Sequence, residues 1–255
     1  MRILMIGDIV GRPGRIAVLN LVPGLRQKYE IDFVIANGEN TAGGKGLTIT
    51  TAEELLSCGI DVLTSGNHIW AQKEIITYID DEPRILRPLN YPPGTPGHGY
   101  FIDDQVMVVN LMGRTYISNV DCPFRAMDRL LKTVKKKPPV ILVDFHAEAT
   151  SEKNALGRYL DGRVSAVVGT HTHIGTVDTR IFPNGTAFVT DIGMVGPSNS
   201  IIGDEIELVL RRFLTQMPQR LSVANGPVNF NSVLVDVESS TGMAIGISRL
   251  DREVD

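Results

Sequence analysis

The feature of this sequence that most restricts its fold is an alternation of short apolar runs with amphipathic stretches. In the N-terminal third, three apolar runs (RILMIGD, DFVIANGE and DVLTSGNH) are each followed by a stretch in which apolar residues recur at helical spacing. Strands that alternate with helices in this way form a parallel sheet with right-handed crossovers. We therefore expect helices over residues 14–28, over ITTAEELLSC and over WAQKEIITYI.

The remainder of the chain indicates antiparallel strands as well. YFIDDQVMVVNL predicts a hairpin around Asp103-Asp104, and TRIFPNGTAFVTD predicts one that turns at Asn184-Gly185, a dipeptide typical of two-residue hairpin turns. These elements predict an α/β fold of two mixed β-sheets packed face to face with flanking helices. No linker or internal repeat divides the chain, so residues 1–255 are expected to form a single domain. Further helices are expected over residues 123–135, 152–160 and 204–215, and further strands in VILVDFHA, VSAVVGTHTH, NSVLVDVE and GMAIGISRL.

Composition argues against several classes of protein. The net charge of -4 is opposite to the basic excess of proteins that coat nucleic acids, so no extended nucleic-acid surface is expected. Cys58 and Cys122 form no CxxC pair and neighbour no histidine, which disfavours a metal–thiolate site and a disulfide framework. The apolar run in MRILMIGDIV is too short for a signal peptide or a membrane span. We therefore expect a cytoplasmic location and no membrane partner.

Polar side chains that commonly bind metal ions follow these apolar runs. The carboxyl ends of parallel strands lie along one rim of an α/β sheet, which is where ligands bind. Each of these residues alone has an ordinary structural explanation, such as a turn or a helix cap, but their shared position favours a common site. In an extended chain residues i and i+2 face the same way, so His171 and His173 are expected to reach two neighbouring ions. The strand-end residues are Asp8, Glu39, Asn40, Asn67, His68, His146, His171 and His173, which include four of the five histidines.

These side chains allow a site for two metal ions. If Glu39 bridges the ions, each has four protein ligands, and a bridging hydroxide still leaves a position for a substrate oxygen. Two carboxylates against two divalent ions leave a net positive charge, which suits a phosphate ester. Imidazole and carboxylate ligands without thiolates favour manganese, iron or zinc. The remaining ligands would be Asp8, Asn40 and His173 for one ion, and Asn67, His146 and His171 for the other.

The blocks that contain these residues resemble those of the calcineurin-like metallophosphoesterase superfamily. Gly66-Asn67-His68 matches its Gly-Asn-His block, His146 its isolated histidine, and the segment 169–173 is close to its Gly-His-x-His block. Two blocks depart from the pattern, because Asp8-Ile9-Val10 lacks a histidine and Gly38-Glu39-Asn40 has glutamate where a bridging aspartate is expected. With these departures, MRILMIGDIVGRPGR and NGENTAGGKG are similar to the bacterial YmdB-like branch, and the similarity spans essentially the whole chain.

The resemblance implies an αββα metallophosphoesterase sandwich with the activity of a phosphodiesterase on cyclic nucleotides of the 2′,3′-cyclic AMP type. It also implies two metal ions, most often iron or manganese, with Asn40 in place of the missing histidine ligand. In the resulting hypothesis a metal-bridging hydroxide attacks phosphorus, and His68 protonates the departing ribose oxygen as a general acid. The competing role for His68 is to steady the metal ligands without exchanging a proton.

Other interpretations stay open on the sequence. The same centre would serve a phosphomonoesterase or a ribonuclease, and a non-catalytic regulator that senses a nucleotide would need the same residues. The AGGKG loop at 42–46 could hold a substrate phosphate through backbone N–H groups and Lys45, or could simply be flexible. His98 is expected in a surface loop, and self-association into a homo-oligomer is left open.

Overall fold

The computed structural model describes residues 1–254, so the last residue of the predicted domain, Asp255, lies outside the described residues. Helices and strands alternate through the first half of the chain, as the apolar runs indicate. The helices are α1 (Gly11–Lys28), α2 (Ile49–Ser57), α3 (Ile75–Tyr78), α4 (Pro123–Thr133), α5 (Thr150–Tyr159) and α6 (Ile206–Thr215). The strands are β1 (Arg2–Ile9), β2 (Phe33–Asn37), β3 (Val62–Thr64), β4 (Tyr100–Ile102), β5 (Val106–Met112), β6 (Val140–His146), β7 (Ala166–Thr170), β8 (Arg180–Ile181), β9 (Ala187–Val189), β10 (Met194–Pro197), β11 (Val228–Phe230), β12 (Ser232–Val237), β13 (Ala244–Arg249) and β14 (Arg252–Val254).

The strands form two mixed sheets. The first has eight strands, with β13, β12, β1, β10, β11 and β14 side by side and with β2 and then β3 extending from β1. The second has six strands in the order β4, β5, β6, β7, β9 and β8. Strand β1 is parallel to β2 and β10 but antiparallel to β12, while β6 is parallel to both of its neighbours and β4 antiparallel to β5.

The two sheets pack face to face, with helices on both outer faces. The layer between them contains alternate residues of each strand, such as Ile3 and Met5 of β1 and Val140 and Leu142 of β6. The intervening residues of β1 pack with α1 and α2 on one outer face, and those of β6 pack with α4 and α5 on the other. This arrangement confirms the predicted sandwich. It follows from the two-residue period of a strand, which sends successive side chains to opposite faces.

A β-bulge near the end of β1 changes the face to which its last residues point. The pairing of β1 with β2 joins Ile6 to Ala36 but Asp8 to Asn37, so β1 has one extra residue at Gly7. Without that residue Asp8 would follow Leu4 and Ile6 to the helix-covered face. With it, Asp8 lies on the inner side, and Ile9 returns to the outer cluster that contains Leu4 and Ile6.

The predicted helix over WAQKEIITYI is wrong as a single element. The segment forms a 3₁₀ turn at Ile69–Ala71 and the short helix α3, separated by residues 72–74, of which Gln72 is extended. The Gln72 side chain donates a hydrogen bond of 2.9 Å to the Lys45 carbonyl. The three isoleucines Ile69, Ile75 and Ile79 are still buried, so the apolar pattern marks residues that face the core although their spacing is not that of one helix.

Other differences concern boundaries and short strands. Helix α1 begins at Gly11 rather than at residue 14, and β10, β11 and β14 do not appear among the predicted strands. Each of these three strands has only three or four residues, too few for an alternating pattern to be recognised. Cys58 and Cys122 are both free, as expected. Across residues 1–254, none of the helices has the length and hydropathy required to traverse a bilayer.

Candidate metal centre

The predicted ligands meet at the carboxyl ends of strands from both sheets. Asp8 belongs to β1, Glu39 and Asn40 follow β2, and Asn67 lies just beyond β3 in the first sheet. From the second sheet, His146 is the last residue of β6, and His171 and His173 follow β7. Each of the seven side chains lies within 4 Å of another member of the group, and Asp8, Glu39, Asn40 and His146 are buried.

Three donor atoms surround Nε2 of His146. It lies 3.0 Å from Oε1 of Glu39, 3.1 Å from Oδ1 of Asn67 and 3.0 Å from Nδ1 of His171. The ligand atoms of Glu39, His146 and His171 all lie within 4.8 Å of one another. A carboxylate, an amide oxygen and two imidazole nitrogens that converge in this way form a donor set suited to a divalent cation of the manganese, iron or zinc type.

A second group of metal-binding side chains meets the same oxygen of Glu39, Oε1. The amide nitrogen of Asn40 is 3.4 Å from Oε1 of Glu39 and 3.1 Å from Nε2 of His173. Because the oxygen and nitrogen of an amide can exchange places by a flip, Asn40 can present its oxygen to the same point. Oδ1 of Asp8 is 3.9 Å from Nε2 of His173 and, although buried, has no hydrogen-bond partner within residues 1–254. Burial of a carboxylate oxygen that accepts no hydrogen bond costs free energy unless a cation lies beside it. The residues therefore fit a second metal ion here.

The two histidines of the GTHTH segment reach the site through a turn and not through an extended strand. Strand β7 ends at Thr170, and His171 and His173 have φ angles of 98° and 66°. The expectation that both histidines lie in an extended strand is therefore wrong, although both side chains do reach the site. Positive φ is strained for residues other than glycine and persists only where surrounding contacts hold it. Here the His171 N–H donates to Oδ2 of Asp8 at 3.0 Å, and Nδ1 of His173 lies 2.7 Å from the Ile202 carbonyl.

A buried ion pair fixes the middle of this turn. Nζ of Lys153, on α5, lies 2.6 Å from Oδ2 of Asp191, and both side chains are about 1% exposed. The same carboxylate oxygen accepts hydrogen bonds from the backbone N–H and the hydroxyl of Thr172, at 3.2 and 2.8 Å. Its other oxygen accepts the Gly193 N–H at 2.8 Å. The pair thus connects the turn that carries both histidines to the loop packed against β1.

A second layer of polar groups orients His146. Its Nδ1 lies 3.0 Å from the Thr170 hydroxyl, which donates to Oδ1 of Asp144 at 2.7 Å. Asn37 donates to the other oxygen of Asp144 at 3.2 Å, and the Thr64 hydroxyl also donates to it. Such outer contacts fix the tautomer of a ligand histidine and direct its free nitrogen at the metal. These supporting residues were absent from the sequence prediction, although Asp144 and His146 share one face of β6.

The proximity of these groups shifts their pKa values strongly. Burial raises the pKa of Asp8 to about 6, although His173 and His146 act in the opposite direction. For Glu39 burial also acts upward, but His146 and His68 outweigh it and lower the pKa to about 2. Burial alone would lower the pKa of His146, yet the carboxylates of Glu39 and Asp8 raise it to about 9. Burial and the neighbouring His146 lower the pKa of His171 to about 3.

His68 lies beside the predicted ligands without joining either donor set. Its ring nitrogens are 3.3 and 3.4 Å from the Asn67 amide nitrogen, and its backbone N–H donates to Oε2 of Glu39 at 3.1 Å. Burial is the main cause of a lowered pKa for His68, to which the positive charge of Lys45 adds. Lys45 itself is exposed.

His98 lies outside the site. It is exposed in a surface loop, as expected.

Glu148 is a further residue that the sequence prediction did not include. One of its carboxylate oxygens lies 3.1 Å from Nε2 of His171, whose Nδ1 faces His146. A carboxylate in this place accepts a hydrogen bond from Nε2–H, which favours the tautomer whose Nδ1 is free to bind a metal. The signal was weak because Glu148 lies in the loop between β6 and α5, outside the strand-end pattern.

Comparison with known proteins identifies similar chains over the full length. A family model described as YmdB-like protein matches residues 4–250. A protein of Bacillus subtilis (strain 168) named 2′,3′-cyclic-nucleotide 2′-phosphodiesterase is 49% identical over 254 residues, which cover 98% of this chain and 96% of that protein. The crystal structure of a hypothetical protein from Thermus thermophilus superimposes with a TM-score of 0.94 and 45% identity and covers 100% of both chains. That of a novel phosphatase from Mycoplasma pneumoniae gives a TM-score of 0.93 and 34% identity, covering 100% of this chain and 94% of that one.

Proposed function

The chain belongs to the family of YmdB-like proteins, and we propose that it is a metal-dependent phosphodiesterase that hydrolyses 2′,3′-cyclic nucleotides. The observation that carries the proposal is the convergence of carboxylate, amide and imidazole atoms on Nε2 of His146, at distances of 3.0 to 3.1 Å. The name of the relative from Bacillus subtilis supports the substrate class.

The proposed site holds two ions, with iron or manganese as the expected metals. Oε1 of Glu39 contacts one member of each group, His146 and Asn40, so Glu39 would be the ligand that the two ions share. When bound, two such ions lower the pKa of water to give a nucleophile and neutralise charge on a phosphoryl group. The proposed ligands are Asp8, Glu39, Asn40 and His173 for one ion and Glu39, Asn67, His146 and His171 for the other.

Within this proposal His68 is the general acid that protonates the leaving ribose oxygen. It is half-buried, lies next to the proposed ligand Asn67, and is not itself needed as a ligand. Burial lowers its pKa, so the protonated imidazole releases its proton readily but is the minor form at neutral pH. The backbone contact to Glu39 holds it against the donor atoms.

The experiment that tests the proposal is a substrate panel with protein loaded with Mn²⁺ or Fe²⁺. The panel contains 2′,3′-cyclic AMP and GMP, 3′,5′-cyclic AMP, a chromogenic phosphate diester and its monoester counterpart. Turnover of 2′,3′-cyclic nucleotides that requires the metal supports the proposal. Preference for the monoester would show a phosphomonoesterase instead. Tight nucleotide binding without turnover under any metal would show a regulator, and either result would overturn the proposed activity.

A further inference from the structure

Helix α6 presents an apolar stripe that the rest of the described chain covers only in part. Of its ten residues only Val209 is buried. Ile206, Leu210 and Phe213 follow one another at spacings of four and three, which places them on one side of the helix. Phe213 is 71% exposed and the adjacent Leu214 is 82% exposed. Single exposed apolar residues are ordinary, but a contiguous stripe of this kind marks an interaction surface.

The stripe is held in a defined position. The helix lies in an excursion between β10 and β11, whose base is closed by a hydrogen bond of 2.8 Å from the Ser198 N–H to the Pro227 carbonyl. A second bond, 2.9 Å from the Glu205 N–H to the Ser222 carbonyl, ties the beginning of α6 to the returning chain. These bonds hold the backbone at the base of the excursion and at the start of α6, which reduces the backbone ordering that binding of a partner requires.

Charges along α6 indicate what the partner is. Acidic residues lie at its beginning, where Glu205 and Glu207 are exposed, and basic residues follow at Arg211 and Arg212. None of these four residues forms a salt bridge with another described residue of the chain. A helix that is acidic at one end and basic at the other is complementary to itself when a second copy lies antiparallel to it. A two-fold axis through the middle of the helix would place Glu207 of each copy near the basic residues of the other.

We propose that the chain forms a two-fold symmetric dimer through antiparallel contact of the α6 helices of two copies. The contact buries Ile206, Leu210, Phe213 and Leu214 of each chain, with the charged residues at its edges. This proposal is independent of the phosphodiesterase activity.

The first test compares the mass of the metal-loaded protein with that of two variants by light scattering and sedimentation equilibrium. The wild type should have twice the mass of the chain. The double variant Phe213→Glu/Leu214→Glu should dissociate, with a dimer dissociation constant raised at least about 100-fold, because loss of a central apolar anchor costs about tenfold or more and each new carboxylate would be buried without a partner. Ile245→Glu is the matched control, because Ile245 is 68% exposed on β13, and it should remain dimeric.

The second test concerns the antiparallel arrangement. Glu207→Arg or Arg211→Glu alone places like charges opposite each other and should weaken the dimer about tenfold, whereas the two together should restore it. Circular dichroism and thermal unfolding serve as the controls that test whether each variant is folded.

Three results would overturn the proposal. One is a monomeric wild type, another is a dimer unaffected by Phe213→Glu/Leu214→Glu, and the third is a charge exchange that fails to restore association.

The wild type and the Phe213→Glu/Leu214→Glu variant are also sedimented with phosphatidylglycerol–phosphatidylcholine vesicles. Vesicle binding by a monomeric wild type, lost in the variant, would assign the stripe to a lipid surface instead.

Discussion

Gly7 of β1 packs directly against the carbonyl oxygen of Gly193, so closely that a methyl group on Gly7 would overlap that oxygen. The neighbouring Asp8 N–H donates to the same carbonyl at 3.0 Å. This contact secures the bulge that directs Asp8 to the inner side of the first sheet. The position of one proposed ligand thus depends on the absence of a side chain at the preceding residue.

Gly7→Ala should lower the free energy of unfolding by about 3 kcal/mol or more, because the added methyl group forces backbone to move in a closely packed region. Gly24→Ala is the matched control, since Gly24 stands inside α1 and, apart from its chain neighbours and the nearby backbone of the helix, no atom of residues 1–254 lies within 4 Å of the added methyl group. That change should be stabilising by about 0.5–1 kcal/mol. Urea unfolding measures both, and equal stabilities for the two variants would contradict the role of the contact.

Thr170→Val should weaken metal binding without removing a ligand. The change removes the hydroxyl that contacts Nδ1 of His146 and donates to Asp144. Loss of an outer contact of this kind typically reduces metal affinity about 10–100-fold. Titration of metal-free protein with Mn²⁺ measures the effect, with His98→Ala as the exposed control. Affinity that is the same in both variants would show that His146 does not rely on this support.

Lys153→Met should be strongly destabilising, because it leaves the carboxylate of Asp191 buried without its cation. Breaking a buried ion pair by removing one partner costs about 3–5 kcal/mol. The exposed pair between Lys136 and Asp104 provides the comparison, and Lys136→Met should change the free energy of unfolding by less than about 0.5 kcal/mol. Chemical denaturation gives both values. Near-wild-type stability of Lys153→Met would refute the structural importance of the pair.

His68→Ala should reduce the turnover of a 2′,3′-cyclic nucleotide about 10²–10⁴-fold, the usual contribution of a general acid. Because His68 is not a proposed ligand, the variant should retain the same number of metal ions as the wild type by elemental analysis. A leaving group that needs no proton, such as the nitrophenolate of a chromogenic diester, should be much less affected. If both substrates were lost equally with metal retained, His68 would be a positioning residue.

Metal affinity should increase with pH. The raised pKa of His146, about 9, means that its imidazole carries a proton at neutral pH in the metal-free protein, and a metal ion must displace it. Affinity should therefore rise about tenfold per pH unit for each displaced proton and level off above about pH 9. Asp8, with a pKa of about 6, adds a second displaced proton only below that pH. Mn²⁺ titrations between these pH values measure the slope, and a pH-independent affinity would contradict the proposed binding through His146.

The sequence by itself determined the layers of the fold and the members of the proposed site. Apolar runs that alternate with amphipathic stretches predict the sandwich, because the spacing of apolar residues along a strand or helix shows which of its faces is buried. The polar residues at the strand ends can also be recognised from the sequence, because they follow apolar runs that are expected to be buried. The resemblance of GNH and GTHTH to known blocks adds the chemistry that these residue types allow.

Only the tertiary structure decided how those residues are presented. The bulge at Gly7 depends on the Gly193 carbonyl, and the positive φ angles of His171 and His173 depend on Asp8, Asp191 and Ile202. The break in the helix after Ile69–Ala71 likewise accompanies the contact of Gln72 with the AGGKG loop. In each case the conformation is stabilised by atoms far away in the chain, so a local pattern, which reports only on near neighbours, cannot specify it.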